Sequence, residues 1–143
     1  VALGPGARGG TPHAWDVRQA VLGRGDAVTL SWGEWSDETV MAEVKNVVGD
    51  VVWSDEAQAG VMRFSGLPDL PGSVYQLWII DAERGMSQRV SGAIFEGGKD
   101  EVVRIEPRLR INRAAAFAVT IEEPGGTWVS DMSRRVVIAA RPG

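Results

Sequence analysis

The stretch "YQLWIID", residues 75–81, decides how this sequence folds. With Val74 before it, alternation puts Tyr75, Leu77 and Ile79 on one face, and Val74, Trp78 and Ile80 on the other. Gln76 shares the second face. A strand that is apolar on both faces must be covered on both. The stretch therefore predicts a central strand. An opposing sheet meets one face, and an entry helix or a long loop covers the other. A buried amide without partners costs ~1–3 kcal/mol, so Gln76 is expected to bond backbone in a neighbouring connection. The turn "GLPDLPG", residues 66–72, is the candidate.

Outward from this strand the chain keeps the same character. β-rich runs fall at residues 27–32, 39–44, 50–54, 60–66, 74–81, 91–95, 101–106, 115–122 and 134–140. Their spacing of roughly 8–12 residues is that of a sandwich or barrel. The fold class expected is all-β: an immunoglobulin-like antiparallel β-sandwich of eight or nine strands with a short N-terminal helix. That helix is "TPHAWDVRQAVLG", with Thr11 as N-cap, Pro12 at the first helical position and Gly23 ending it. Trp15, Gln19 and Leu22 mark its expected inner face, with Ala20 and Val21 beside them. Residues 1–10, with four Gly and one Pro, read as a flexible linker. Residues 11–143 read as a single domain.

Turn chemistry marks the joints. "EGGKD", residues 96–100, suits a hairpin connection. "EPGG", residues 123–126, sets Pro124 and Gly125 at the centre of a type II turn, which needs a fixed φ and then a positive one.

Composition narrows the function. The 143 residues are 44% apolar and 24% charged, with a net charge of −4. This is ordinary for a globular domain with a sizeable core. No basic run tracks phosphates, since "RLRINR" at residues 108–113 is short and interrupted, so no nucleic-acid partner is expected. The absence of Cys removes disulfides, thiolate sites and a Cys nucleophile. No segment approaches the ~18 apolar residues of a membrane span. The N-terminus has no charged and then apolar signal sequence. The chain begins with Val, which suggests a fragment whose targeting or anchoring segment lies elsewhere.

Candidates for catalysis are few. The one His, His13, sits at the helix start, far from any strained nucleophile turn, and reads as exposed. One His without Cys cannot supply a usual zinc site. Carboxylates cluster in "WSDE" (53–56), "DAE" (81–83), "EE" (122–123) and at Asp131. They lie beside turns, where most are expected to be solvated. No residue is assigned to catalysis, to a cofactor or to a metal, and no enzymatic activity is expected. Six Trp is a high count. Trp53 and Trp78 read as core anchors. Trp35 and Trp128 are expected to cap the sandwich ends, ahead of forming a platform for a sugar or peptide.

Three motifs then agree on a family. "DVVWSDEAQAGVMRFSGLPDLPGSVYQLWIID" resembles the C-terminal domain of anti-sigma-K factors through Gln58, Gly60, Gly66, Leu67, Pro68, Leu70 and Pro71, then Tyr75, Gln76, Leu77 and Trp78. "SGAIF" (91–95) and "FAVTIEEPGG" (117–126) continue the resemblance, which covers residues 50–140. The resemblance implies a β-sandwich outside the cell membrane, on the periplasmic side. It implies a single-pass anti-sigma factor that controls sigma-factor release, and so transcription, through regulated proteolysis. It would meet a sigma factor only through an N-terminal cytoplasmic domain, and the membrane only through a transmembrane helix, both absent from this chain. A membrane protease is an expected partner, and a second copy could pair at open sheet edges. The residues leave a second reading open, a carbohydrate- or peptide-binding sandwich. A carboxylate-based hydrolase is the weakest.

Overall fold

A computed structural model describes residues 13–34, 44, 46–85, 87–98 and 101–141. One helix, α1 (Ala14–Leu22), precedes eight strands: β1 (Val28–Ser31), β2 (Val48–Ser54), β3 (Ala59–Ser65), β4 (Val74–Asp81), β5 (Val90–Phe95), β6 (Glu101–Ile105), β7 (Ala114–Glu122) and β8 (Arg135–Ala140). They form two four-stranded sheets with orders β1-β2-β3-β6 and β5-β4-β7-β8, antiparallel throughout. This is the expected β-sandwich, with its own connectivity: a β1-β2-β3 meander with β6 added beside β3. The linker 1–10, Thr11, Pro12, Trp35 and all but Val44 of the run 39–44 lie outside the described residues. The expected cap at Thr11 is corrected: α1 starts at Ala14 with His13, in extended backbone, at its N-cap. Val44 is buried and belongs to no strand.

β4 is central, as its sequence requires. It pairs β5 on one side and β7 on the other. Tyr75, Leu77 and Ile79 join Val51, Trp53, Met62 and Phe117 in the inter-sheet core. Trp32, Phe64, Phe95 and Tyr75 stack in turn, with centroids 5.0, 5.2 and 5.7 Å apart. Trp53 meets Phe117 edge-on at 6.1 Å. Gly60 lies beneath Trp53: a Cβ there would come within 2.7 Å of its ring and 2.5 Å of the Val52 carbonyl. No larger residue fits that crossing.

The turn "GLPDLPG" carries the chain from the first sheet to the second. "EGGKD" does the same in reverse, which corrects the hairpin expectation: β5 belongs to the second sheet and β6 to the first. Gly and Asp in a connection report a bend, not which sheet receives the next strand. "EPGG" is the type II turn expected, with Gly125 at φ +89° and Gly126 N–H donating to Glu123 O at 2.9 Å.

The two sheets are stitched along both sides. Gly33 and Ile138 exchange hydrogen bonds of 2.7 and 3.0 Å, joining the continuation of β1 to β8. Opposite, Glu106 N–H donates to Gly92 O at 2.7 Å, and Arg108 N–H to Ser91 O at 3.1 Å. Parts of the edges that could pair with a second copy are thus occupied within the chain.

The outer faces are covered differently. α1 packs across β2, β3 and β6. Its inner stripe is Ala14, Val17, Arg18 and Val21, at i, i+3, i+4 and i+7. Trp15, Gln19 and Leu22 are exposed, so the inner face read from the sequence is corrected. The reason is Arg18, buried because Asp50 of β2 receives it at 3.3 and 3.2 Å. Arg63 of β3 also reaches Asp50, at 3.3 and 2.9 Å. That bond raises the Arg63 pKa further above its ordinary value. The helix ends at Leu22 because Gly23 closes it, its N–H bonded to Gln19 O. The second sheet's outer face, with Trp78, Ala118 and Ile138, is covered by Met132 from the β7–β8 connection, residues 123–134. The long loop, not the helix, is therefore what lies over β4.

Candidate functional site

The polar side chains beneath and between the sheets hold loops. Gln76 is buried on β4. Its Oε1 accepts from Thr127 N–H at 3.0 Å, and its Nε2 donates to Thr127 O at 2.9 Å and to Ser91 Oγ at 2.8 Å. It is a structural pin, as expected, but of residues 123–134 and not of "GLPDLPG". Tyr75 takes that other role: its hydroxyl donates to Pro68 O at 2.6 Å. Burial, and then the charge of Asp69, push the Tyr75 pKa up to about 12.

Gln58 repeats the device at the β2–β3 turn. Its Oε1 accepts from Ile111 N–H at 2.8 Å, and its Nε2 donates to Ile111 O at 2.6 Å. Two glutamines of the resemblance motif thus each clamp both backbone groups of one distant residue. An amide carries a donor and an acceptor side by side, so it can pair with a peptide unit as a strand would.

The carboxylate clusters resolve in the same way. Asp81 is fully buried, against the expectation that acids beside turns are solvated. Burial alone would raise its pKa. N–H groups of Asn112, Glu83 and Arg113, at 2.7, 3.0 and 3.2 Å, with Arg84 at 3.6 Å, outweigh it and bring the pKa below the usual value. Asp55 accepts from the Trp53 indole at 2.7 Å, Ala114 N–H at 3.1 Å and Arg141 at 3.1 Å. Glu122 accepts from Thr120 and Ser130, both at 2.6 Å. The partners of these groups lie up to 86 residues away, and no local motif announces them. Glu56, Glu83, Glu123 and Asp131 are exposed, as expected. Among the described residues no group of three or more metal-ligating side chains comes together. His13 is exposed at the start of α1 and makes no side-chain capping bond.

Trp53 and Trp78 are core anchors, as expected. Trp128 corrects the capping expectation: it is 82% exposed, and Val129 beside it 78%. Covering an indole stabilises by roughly 2–3 kcal/mol, and this fold forgoes that. The backbone around Trp128 is nevertheless fixed. Gln76 clamps Thr127, Thr127 Oγ1 donates to Val129 O at 3.0 Å, and Arg89 donates to Ser130 O at 2.8 Å. Gly126 lies so close to β4 and β5 that a Cβ would fall 2.5 Å from Ile94 Cδ1 and 2.9 Å from Gln76 Oε1.

Beside this loop a groove of about 500 Å3 runs between β5 and the end of β6, lined by residues that include Ile94, Val103, Arg104 and Arg108. A recess of about 160 Å3 adjoins it, with Trp128, Thr127 and Gln76 on its other wall. Ser91, Ile94 and Arg108 line both. The sequence reading gave Arg108 no role beyond a rejected nucleic-acid patch. Its place in the groove depends on the bond of its N–H to Ser91 O, a long-range contact.

A sandwich whose buried polar groups hold loops, with an open groove and recess beside one of them, has the features of a recognition or regulatory domain. The chain belongs to the family described as anti-sigma-K factor RskA, C-terminal, whose model matches residues 10–129. That match begins well before residue 50, where the sequence resemblance starts, and ends before β8. Anti-sigma-K factor RskA of Mycolicibacterium vanbaalenii is similar, 37% identical over 78 residues, 54% of this chain and 31% of that protein. The chain thus spans about a third of the length of that curated relative. No solved structure matches it. Among the described residues no helix is long and apolar enough to cross a membrane.

Proposed function

We propose that this sandwich is the extracytoplasmic regulatory domain of a single-pass, membrane-anchored anti-sigma factor. The observation that carries this is family membership over residues 10–129, in a fold whose buried polar side chains hold loops. A membrane helix and a cytoplasmic sigma-binding domain would precede it. The domain itself performs no catalysis and touches no sigma factor. Its role is to control access of a membrane protease to the segment before α1. α1 suits that coupling. It is the first described element, and it docks through Val21 and the Arg18–Asp50 pair. Loss of the sandwich, or a change in what it binds, would release α1, expose the segment to cleavage and free the sigma factor.

The test uses the full-length protein in cells with a sigma-dependent reporter. Val21→Asp, which places a charge beneath α1, is expected to raise cleavage and reporter output. Unchanged cleavage and output, with α1 shown to be released by protease sensitivity in the purified domain, would overturn the coupling. An alkaline phosphatase fused at the C-terminus and inactive in these cells would overturn the extracytoplasmic placement.

A further inference from the structure

The groove beside Trp128 has the chemistry of a ligand site that the regulatory reading does not specify. Its larger part, about 500 Å3, is within the range of small-ligand sites, roughly 300–1,000 Å3. Trp128 follows directly on Thr127, whose backbone Gln76 holds, so its position beside the recess is set while its ring stays exposed. A flat exposed indole offers a face to stack on. Arg108 lines both the groove and the recess, and among the described residues its side chain makes no hydrogen bond or ion pair. Residues 104–113 carry four Arg against one Glu, in a chain of net charge −4. Glu106 also lines the groove but not the recess, whereas Arg108 lines both. At the recess a guanidinium without a carboxylate among the lining residues selects for an anion, and its planar fork fits a carboxylate.

The occupant must also suit the edge of β5. A peptide would bind there by adding a strand. The Ser91 and Gly92 carbonyls that it would use already accept from Arg108 and Glu106. A sugar needs no such edge. It binds by stacking a ring face on an aromatic side chain and bonding its substituents to nearby polar groups.

We propose that this groove binds an acidic oligosaccharide, with one uronate ring stacked on Trp128 and its carboxylate on Arg108. The inference stands on the groove and not on the anti-sigma role, so either can fail without the other.

The experiment titrates the 143-residue domain by calorimetry and Trp fluorescence with tetragalacturonate, tetramannuronate and a hyaluronan tetrasaccharide. Maltotetraose and tetraglutamate serve as neutral and peptide controls. At least one uronate oligomer should saturate and shift the Trp emission. Trp128→Ala and Arg108→Ala are both exposed sites, and unchanged melting of each variant checks the fold. Each should weaken that binding by about tenfold or more. Maltotetraose and tetraglutamate should bind at least about tenfold more weakly than the uronate oligomer. Failure of all three uronates to bind at millimolar concentration overturns the proposal, as does binding that both variants leave unchanged. Tetraglutamate or maltotetraose binding equally well, with the same loss in the variants, overturns the ligand class.

Discussion

The two outer faces of this sandwich are covered by opposite means. Over β2, β3 and β6 lies a helix, and over β4, β7 and β8 an irregular connection, residues 123–134. A helix satisfies most of its own backbone internally. α1 therefore asks little of the sheet: a short stripe and one charged side chain, Arg18, received by Asp50. An irregular segment brings N–H and C=O groups that something else must satisfy. The strands beneath supply the partners. Gln76 holds both backbone groups of Thr127, and Glu122 holds the Ser130 hydroxyl, which in turn accepts from Met132 N–H at 2.9 Å. This is why an amide stands in the most apolar strand of the chain.

The contrast can be broken most strongly at Gly126. Gly126→Ala should destabilise the domain by about 2–4 kcal/mol, from overpacking against Ile94 and Gln76 together with a φ of +77° that disfavours a Cβ. Chemical denaturation measures this, and limited proteolysis should show the first new cuts within residues 123–134. A wild-type midpoint would mean that the loop does not pack as tightly on β4 as described.

Gln76→Leu comes next. The leucine fits an apolar strand, so a loss reports the missing clamp. Thr127 would lose two hydrogen bonds, for a loss of about 1–3 kcal/mol and a lower melting temperature. An unchanged melting temperature would refute the pin. Gln76→Glu sharpens the point, since a carboxylate keeps the acceptor for Thr127 N–H but cannot donate to Thr127 O at neutral pH.

These two residues also show where sequence reading stops. The strands were legible because burial imposes alternation, and Trp53, Trp78 and the "EPGG" turn followed from local chemistry. The burial of Gln76 was legible too, but its partner was not, because Thr127 lies 51 residues on. The inner face of α1 was misread because Arg18 is buried by a partner 32 residues away. Trp128 was misplaced for the converse reason: exposure of an indole leaves no mark in its neighbours. Local pattern fixes which face of a strand is buried, and only tertiary contacts decide what covers it.

Asp81 does with a charge what Gln76 does with an amide, and this makes the β6–β7 connection sensitive to acid. Its folded pKa lies below the usual value, despite burial, because three backbone N–H groups stabilise the carboxylate. The stability it contributes is fully present above its unfolded pKa, about 3.9, and is lost as pH falls through the lower folded value. Asp81→Asn should flatten that part of the acid-unfolding curve. An acid limb of unchanged shape in the variant would assign the sensitivity elsewhere.

The smallest effects belong to the helix-covered face. Arg18→Ala removes one of two arginines from Asp50, and Arg63 still holds that carboxylate at 2.9 Å. The expected loss is about 1 kcal/mol, part of it from the packing of the Arg stem. Because Arg18 and Asp50 are mostly shielded from water, salt should weaken the pair only partly. Raising salt should nonetheless lower the protection of α1 amides from hydrogen exchange, while leaving Thr127 as protected as before. The amide clamp carries no net charge and has nothing for ions to screen. Equal salt sensitivity at Thr127 and at α1 would show that the amide clamp depends on its charged neighbours Glu122 and Arg89, and would remove the distinction between the two coverings.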